Sequence, residues 1–549
     1  MLVPSKHQPA FPLDRFLLRE TAGDEAIPLD VLFVGGGPAG LAGSIRLAQL
    51  VAQDNAAGGG LGEVEIGVLE KAETLGEHCL SGAVINPAPF RTLFPDLSDE
   101  QLPFCGPVTA ERVYWLRENG HTRIPTPSEM RNHGNHIASI CEVVRWLGER
   151  AEDQGVNLFT GFPADALLVE GDTVAGVRTA ASGLNRDGSP SASHMPAGDV
   201  TARVTVFSDG TRSPLARAWR EWQQIGAPNP QIYALGVKEL WRTTRSLDAV
   251  IHTMGWPLPG DAFGGSFIYP MSGDLIALGL VVGLDYRQHT LDIHELTQRL
   301  KSHPLIAPML EGGELVEWGA KTIPEGGYHA VPERLHGNGC LLAGDAAGLV
   351  NVAGLKGIHY AMHSGILAAE SIFAALKADD CTAAQLGGYD AALRASFVFD
   401  DLRRTRNMRL AFKSGFVAGG AKAWMMSVTG GRFPGGRIST DSDADEPRTI
   451  RPAEEFKPDG KRTFGKLDAV FRSGNATRDD IPSHLIVGED IPPELAEFYS
   501  HLCPAGVYEN DGGKLAVNAP NCIDCKATDV LGPRWSPREG GSGPKYRKM

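Results

Sequence analysis

The chain runs to 549 residues, 42% of them hydrophobic and 21% charged, a balance that excludes wholesale disorder and fibrous architecture. A formal charge of −14 excludes a nucleic-acid partner gripped through its phosphates, which needs a concentrated basic face. No apolar run reaches the length of about eighteen residues that a spanning helix requires, so any membrane contact is expected to be peripheral.

The first twenty residues, MLVPSKHQPAFPLDRFLLRE, have neither a compact apolar h-region nor an acid-free, Arg-rich character. A chain on the cytoplasmic side of a prokaryote, or a mature form, is expected. The apolar run Asp30 to Val34 reads as a strand, followed at once by Gly35-Gly36-Gly37-Pro38-Ala39-Gly40 and by helical spacing from Leu41 to Val51. In this strand-turn-helix setting Gly35 permits the tight turn, Gly37 lets the backbone approach a pyrophosphate, and Gly40 allows close helix–strand packing. A second strand, Val64 to Leu69, ends in Glu70, placed to accept from ribose hydroxyls. It comes later than the usual spacing, and the polar stretch Gln53 to Gly62 is expected to absorb the surplus as a surface loop.

Two later strand ends point to FAD over NAD. Ala202 to Phe207 runs into Ser208-Asp209-Gly210, and Cys340 to Ala343 into Gly344-Asp345, with a helical pattern reaching Ala368. Acids at such turns suit the ribityl chain of a flavin, and a following helix N-terminus suits its phosphates. In this order the three motifs resemble the glutathione-reductase-type FAD fold in its hydroxylase-like branch. Five cysteines (Cys79, Cys105, Cys141, Cys340 and Cys381) stand singly and read as buried small hydrophobes. The other three, Cys503, Cys522 and Cys525, lie near the C-terminus.

Longer stretches carry a more specific resemblance. Glu70-Lys71, Gly76 to Gly82 (GEHCLSG), Asn132 to Asn135, Gly255 to Leu258 (GWPL), Gly264 to Phe267, Gly279 to Tyr286, Leu310 to Lys321, Glu325 to Gly327, Ser364 to Glu370 and Cys503 to Glu509 are similar to the electron-transfer flavoprotein:ubiquinone oxidoreductase family. The resemblance implies an enzyme that takes electrons from reduced electron-transfer flavoprotein, carries them on FAD and a [4Fe-4S] cluster, and delivers them to ubiquinone at a membrane surface. It implies an α/β chain in parts: FAD-binding segments at 26–240 and 326–410, an inserted quinone-binding α+β domain at 241–325, a membrane-surface segment at 411–440, and a ferredoxin-like iron-sulfur domain at 441–549. The cofactor-binding set becomes Gly35, Gly37, Gly40, Glu70, Lys71, His78, Ser81, Gly82, Asp209, Gly344, Asp345 and Gly357. By the same resemblance Gly255, Trp256, Phe263, Gly264 and Gly265 line the quinone site.

The Gly-, Pro- and aromatic-rich stretch His252 to Pro270 suits an apolar pocket. Phe416, Val417, Trp424, Met425, Met426, Val428 and Phe433, interleaved with Lys413, Lys422 and Arg432, suit a segment lying among lipid headgroups, though a buried core helix has the same pattern. Three positions depart from the family. Phe263 stands in place of Tyr, Ile358 in place of a hydroxyl residue, and Thr528 where a fourth cluster cysteine is expected, three residues after Cys525. Cys503, Cys522 and Cys525 remain as metal ligands, leaving open a [4Fe-4S] cluster completed by water, Asp524 or Asp529, a [3Fe-4S] cluster, a zinc site, or none. Rival readings are an FAD monooxygenase or isoprenoid reductase, which leaves the Cys-bearing tail unexplained, and a non-catalytic flavin-fold binding protein.

Overall fold

The computed structural model describes residues 1–433 and 435–549; Pro434, inside the expected 411–440 segment, lies outside the described residues. The first apolar run forms strand Ile27–Val34. Gly37 then stands extended as the N-cap of helix Pro38–Ala56, and Pro38 fits because the first helical amide has no intrahelical partner to lose. The helix continues past Val51 to Ala56, so the loop expected from Gln53 starts later, and the Asn55 side chain closes it by pairing with the Gly62 backbone. The second strand is Ile66–Glu70.

These strands belong to a nine-stranded sheet whose parallel core orders Asp199–Phe207, Ile27–Val34, Ile66–Glu70 and Asn157–Thr160, with Cys340–Leu342 also pairing to Asp199–Phe207. Register sets Phe207 level with both Val34 and Leu342, and Val34 level with Leu69. The three glycine or aspartate turns and Glu70 therefore emerge at one carboxyl edge, where open parallel sheets bind ligands. Helix Ile358–Lys377 crosses Pro38–Ala56 so closely that a Cβ on Gly365 would lie 2.1 Å from the Ala39 carbonyl oxygen.

A second, seven-stranded sheet orders Glu314–Pro324, Tyr233–Arg242, Leu275–Gly283, Gly264–Pro270, Val250–Gly255, Glu111–Arg117 and Gly120–Ile124. It takes two strands from within 26–240, and a third, Tyr233–Arg242, runs across residue 240, so the boundary expected there cuts through a single sheet. The C-terminal part has two small ribbons, Leu485–Ile486 with Arg534–Trp535 and Tyr508–Asp511 with Lys514–Val517, set among helices Lys466–Arg472, Pro493–Leu502 and Ala527–Leu531. Residues 443–448 pack instead against the second sheet: Asp443 accepts from the Tyr233 amide at 2.6 Å, and Arg448 donates to the Leu284 carbonyl at 2.7 Å and lies over the Tyr286 ring. One apolar core joins Leu235, Trp241 and Leu278 of that sheet to Leu495, Phe498, Cys503 and Cys525. The cysteine region is thus not a separately cored module.

Asp292 pins this joint. It caps helix Ile293–Leu300 by accepting from the Glu295 amide, and it pairs with Lys466 at 2.6 Å and His501 at 3.5 Å from the C-terminal part. Burial opposes its charge, and Lys466 with His501 more than offsets that, holding the carboxyl well below the usual range. A depressed acid contributes stability that is complete above its unfolded pKa of about 4 and is lost as pH falls through the folded one. Asp292→Asn is expected to cost about 3 kcal/mol at pH 7, with the gap between variant and parent closing below about pH 4; urea unfolding across pH measures both.

Candidate two-cofactor site

A continuous cavity of ≈ 1750 Å³ opens at the carboxyl edge of the parallel strands and extends across the second sheet. Gly35, Gly37, Glu70, Lys71, His78, Ser81, Gly82, Asp209, Gly344, Asp345 and Gly357 all line it. Gly40 does not. It packs behind the turn, where a Cβ would lie 2.2 Å from the Gly35 carbonyl oxygen. Gly35 has φ +108°, which only glycine adopts without strain. At Gly37 a Cβ would meet nothing within 4 Å, so this backbone faces open cavity. Glu70 is fixed by amides, Gly36 donating to one oxygen at 3.0 Å and Ala72 to the other at 2.8 Å.

Asp209 is partly buried, with its Oδ1 atom enclosed and lacking a hydrogen-bond partner, and desolvation raises its pKa. Desolvation likewise pushes the partly buried Asp345 up to about 6. Two desolvated acids, one with an oxygen in want of a donor, glycine backbone open to the cavity, and the N-terminus of the 20-residue helix Ile358–Lys377 behind Gly357 fit the hydroxyls and phosphates of FAD. Ile358 lines the same wall and brings no hydroxyl to it.

Farther along, Gly255, Trp256, Phe263, Gly264 and Gly265 line the cavity with Phe412, Phe416 and Trp424. Gly264, at φ +154°, sits where a Cβ would lie 2.1 Å from the Val281 carbonyl oxygen. The Phe263 ring lies under the Arg409 guanidinium at 4.1 Å and beside Phe412. Arg409 is itself held by Glu325 at 2.6 Å and Asp285 at 2.8 Å. The mouth is formed by helix Phe416–Val428, which leaves Val417 86% and Trp424 66% exposed and buries Gly419 and Met426. The buried-core-helix alternative therefore fails for most of this segment.

Cys503, Cys522 and Cys525 are buried free thiols. All three pack with Tyr508 in one apolar cluster, and burial, followed by the nearness of Cys503 and Cys522, pushes the Cys525 thiol well up. Amides turn toward their sulfurs: that of Asp524 lies 3.4 Å from Cys522, that of Ala527 faces Cys525, and those of Val507, Ala505 and Tyr508 face Cys503. Left-handed backbone at Asp524 (φ 55) and Lys526 (φ 62), on either side of Cys525, makes this turning possible. One zinc ion bound at about 2.3 Å per thiolate would draw its ligands to within ~4 Å of one another. Among the described residues the one such gathering within 4.8 Å is His484, Cys522 and Asp524, which holds a single cysteine. Three thiols spread wider than one ion allows, each met by amides, fit an iron-sulfur cluster and correct the zinc alternative. Asp524 and Asp529 are also taken: Asp524 binds Lys71 at 2.5 Å, Arg538 and the Trp535 indole at 3.0 Å, and Asp529 binds Arg212 at 2.6 Å and the Trp535 amide.

The Asp524 pair joins the two sites, because Lys71, His78, Lys526 and Trp535 also line the flavin cavity. His78 lies 3.9 Å from Asp524 with both ring nitrogens unpartnered. Lys321, Lys526, Trp535, Arg538 and His484 also border this junction and are not among the site residues expected from sequence; the family-like stretch ending at Lys321 and the adjacency of Lys526 to Cys525 were the two signals for any of them.

The fold and these two constellations define a flavin-dependent oxidoreductase with an iron-sulfur centre. Two family descriptions match: "ETF-QO, ubiquinone-binding" over residues 233–323 and "Electron transfer flavoprotein-ubiquinone oxidoreductase, 4Fe-4S" over 460–547. The mitochondrial electron transfer flavoprotein-ubiquinone oxidoreductase of Arabidopsis thaliana is 37% identical over 96% of this chain and 85% of its own, and that of Homo sapiens 37% identical over 95% and 89%. The chain belongs to the electron transfer flavoprotein-ubiquinone oxidoreductase family. Among solved structures, a geranylgeranyl bacteriochlorophyll reductase-like protein from Thermoplasma acidophilum shares the fold at TM-score 0.55 and 20% identity, covering 74% of this chain and 90% of its own. The flavin-dependent brominase Bmp2 does so at 0.51 and 16%, covering 74% and 94%.

Because Gly37 faces cavity and not protein, Gly37→Val is expected to lower flavin content by about tenfold or more, with its thermal midpoint close to that of the flavin-free parent, the holoprotein melting higher because bound flavin stabilises the native state. Absorbance of the purified protein, alongside a melting curve, checks both.

Proposed function

We propose that this enzyme accepts electrons from reduced electron-transfer flavoprotein and passes them, by way of FAD and its iron-sulfur cluster, to ubiquinone at a membrane surface. One observation carries the reading: a single cavity runs from the nucleotide-binding glycines past Phe263 to the exposed apolar helix, with the cluster cysteines set behind its Lys71 wall. Bound FAD supplies two-electron chemistry divisible into single steps, and the cluster supplies one-electron transfer. Glu70, Asp209 and Asp345 are assigned to the flavin's hydroxyls, and Lys71, Lys321 and Lys526 place positive charge between the two groups. Gly264 and Gly265 let the quinone head approach the backbone, and Phe263 and Trp256 exclude water around it. The monooxygenase and reductase readings account for the flavin fold and leave three converging thiols without a use.

Val417, Trp424, Val428 and the exposed Phe433 fit burial among headgroups and acyl chains, and no helix among the described residues is long and apolar enough to cross a membrane. The finer placement within this reading is the cytoplasmic face of a bacterial inner membrane; the names of the plant and human relatives place those proteins in mitochondria.

Purified protein is expected to be yellow-brown and to reduce a soluble ubiquinone when given enzymatically reduced electron-transfer flavoprotein. Quinone left oxidised while the flavin reduces would refute the proposal. Trp424→Glu together with Val417→Glu is expected to lower retention on liposomes at least tenfold in high salt, since buried apolar area is not screened, with flavin content unchanged. Flotation measures it.

A further inference from the structure

We infer that the cluster of this chain is held by Cys503, Cys522 and Cys525 alone, with its fourth corner open, so that one iron exchanges reversibly. The inference rests on the assignment of an iron-sulfur cluster above and extends it to the cluster's type. Helix Ala527–Leu531 places Thr528, three residues after Cys525, at the position left for a fourth ligand, and Thr528 is buried. Beside it stands the Tyr508 hydroxyl, within reach of the Thr528 side chain and near all three thiols, on a residue only 2% exposed. The corner is therefore faced by two neutral hydroxyls. An alcohol is a hard, weakly acidic donor, a poor match for the soft thiolate ligation that iron-sulfur centres use.

The two carboxylates beside the cysteines are not free to close the corner: Asp524 and Asp529 have both carboxylate oxygens engaged by Lys71, Arg538, Trp535 and Arg212. His484 is the rival donor, with two unpartnered ring nitrogens and a place within 4.8 Å of the Cys522 sulfur and an Asp524 oxygen. It gathers with a single thiol, whereas Tyr508, beside Thr528, lies near all three. Loss of the iron balances as [4Fe-4S]2+ → [3Fe-4S]+ + Fe2+ + e−, the electron passing to an oxidant such as ferricyanide, with thiolates and sulfides retained. Fe2+ with dithionite reverses it.

The test is electron paramagnetic resonance with iron and sulfide analysis on the full-length protein, purified without oxygen and then treated with ferricyanide. The parent is expected to show the signal of an oxidised [3Fe-4S] centre and less iron than sulfide. Incubation with Fe2+ and dithionite, followed by mild reoxidation, should abolish the signal and equalise the two. Thr528→Cys is expected to stay silent through ferricyanide with equal iron and sulfide, and His484→Gln to behave as the parent. A parent that stays silent with equal iron and sulfide overturns the inference, as does a parent without iron. If His484→Gln alone turns a silent protein paramagnetic, the histidine is the fourth ligand and the corner is closed. Quinone reduction assayed on the same samples separates the two claims, because an intact three-thiolate signal without electron transfer sinks the proposed function and leaves this inference standing.

Discussion

The arrangement depends on a buried carboxylate. Asp524, 1% exposed, is ligated by Lys71, Arg538 and the Trp535 indole, and it sits between two of the cluster cysteines. Lys71 directly follows Glu70 at the end of the second parallel strand. The ion pair therefore fixes the cysteine loop against the edge of the nucleotide-binding sheet, and with it the spacing of the two cofactor sites. A buried pair of this kind gains little net stability, since desolvation consumes most of its attraction. Its contribution is position.

The charge around that pair is unevenly matched. Burial and then Lys71 depress Lys526 to about 7 and also lower Lys321. Asp524 pairs with Lys71, while Lys526 and Lys321 donate to backbone carbonyls; both candidate cofactors bring further anions, a pyrophosphate on one side and thiolate-bound iron on the other. The same logic explains Asp209 and Asp345, whose carboxyls are raised because lost water outweighs what the protein returns, Lys526 and the Ser213 hydroxyl at the first and Lys321 at the second. Cationic and acidic side chains alike are shaped for groups that arrive from outside the polypeptide.

Most of the flavin half was legible from sequence because its geometry is local. Gly35, Gly37, Gly40 and Glu70 act within one strand-turn-helix-strand unit, and the turns at Asp209 and Asp345 each follow a recognisable strand. Register then brings them to one edge without further information. The boundaries were less legible. Strands Glu111–Arg117 and Gly120–Ile124 complete the second sheet from far outside 241–325, because sheet partnership is decided by packing and not by order along the chain. The Asp524 wall was hidden for the same reason, with Lys71 and Asp524 separated by 453 positions. The exposure of helix Phe416–Val428 could not be read from apolar periodicity, which is shared by a buried helix and a lipid-facing one.

Three walls of the bound-group sites share a physical character. Phe263 and Ile358 offer no hydrogen bond and Thr528 no thiolate, each set in a wall whose backbone approaches closely: Gly264 and Gly265 beside the first, Gly357 beside the second, the turned loop from Cys522 to Lys526 beside the third. Backbone sets which groups fit, since it defines the close approaches and the amides that meet phosphate or sulfur. Side-chain donors and ligands set how strongly each redox form of a bound group is held, and so its potential. The backbone thus shapes all three places while one side chain in each leaves a bound group without a polar or thiolate contact. Phe263 carries the Arg409 guanidinium on its ring, and Ile358 brings apolar contact alone. Thr528 offers a metal a hydroxyl and not a thiolate, so of the three it bears on what the site can hold as well as on its potential.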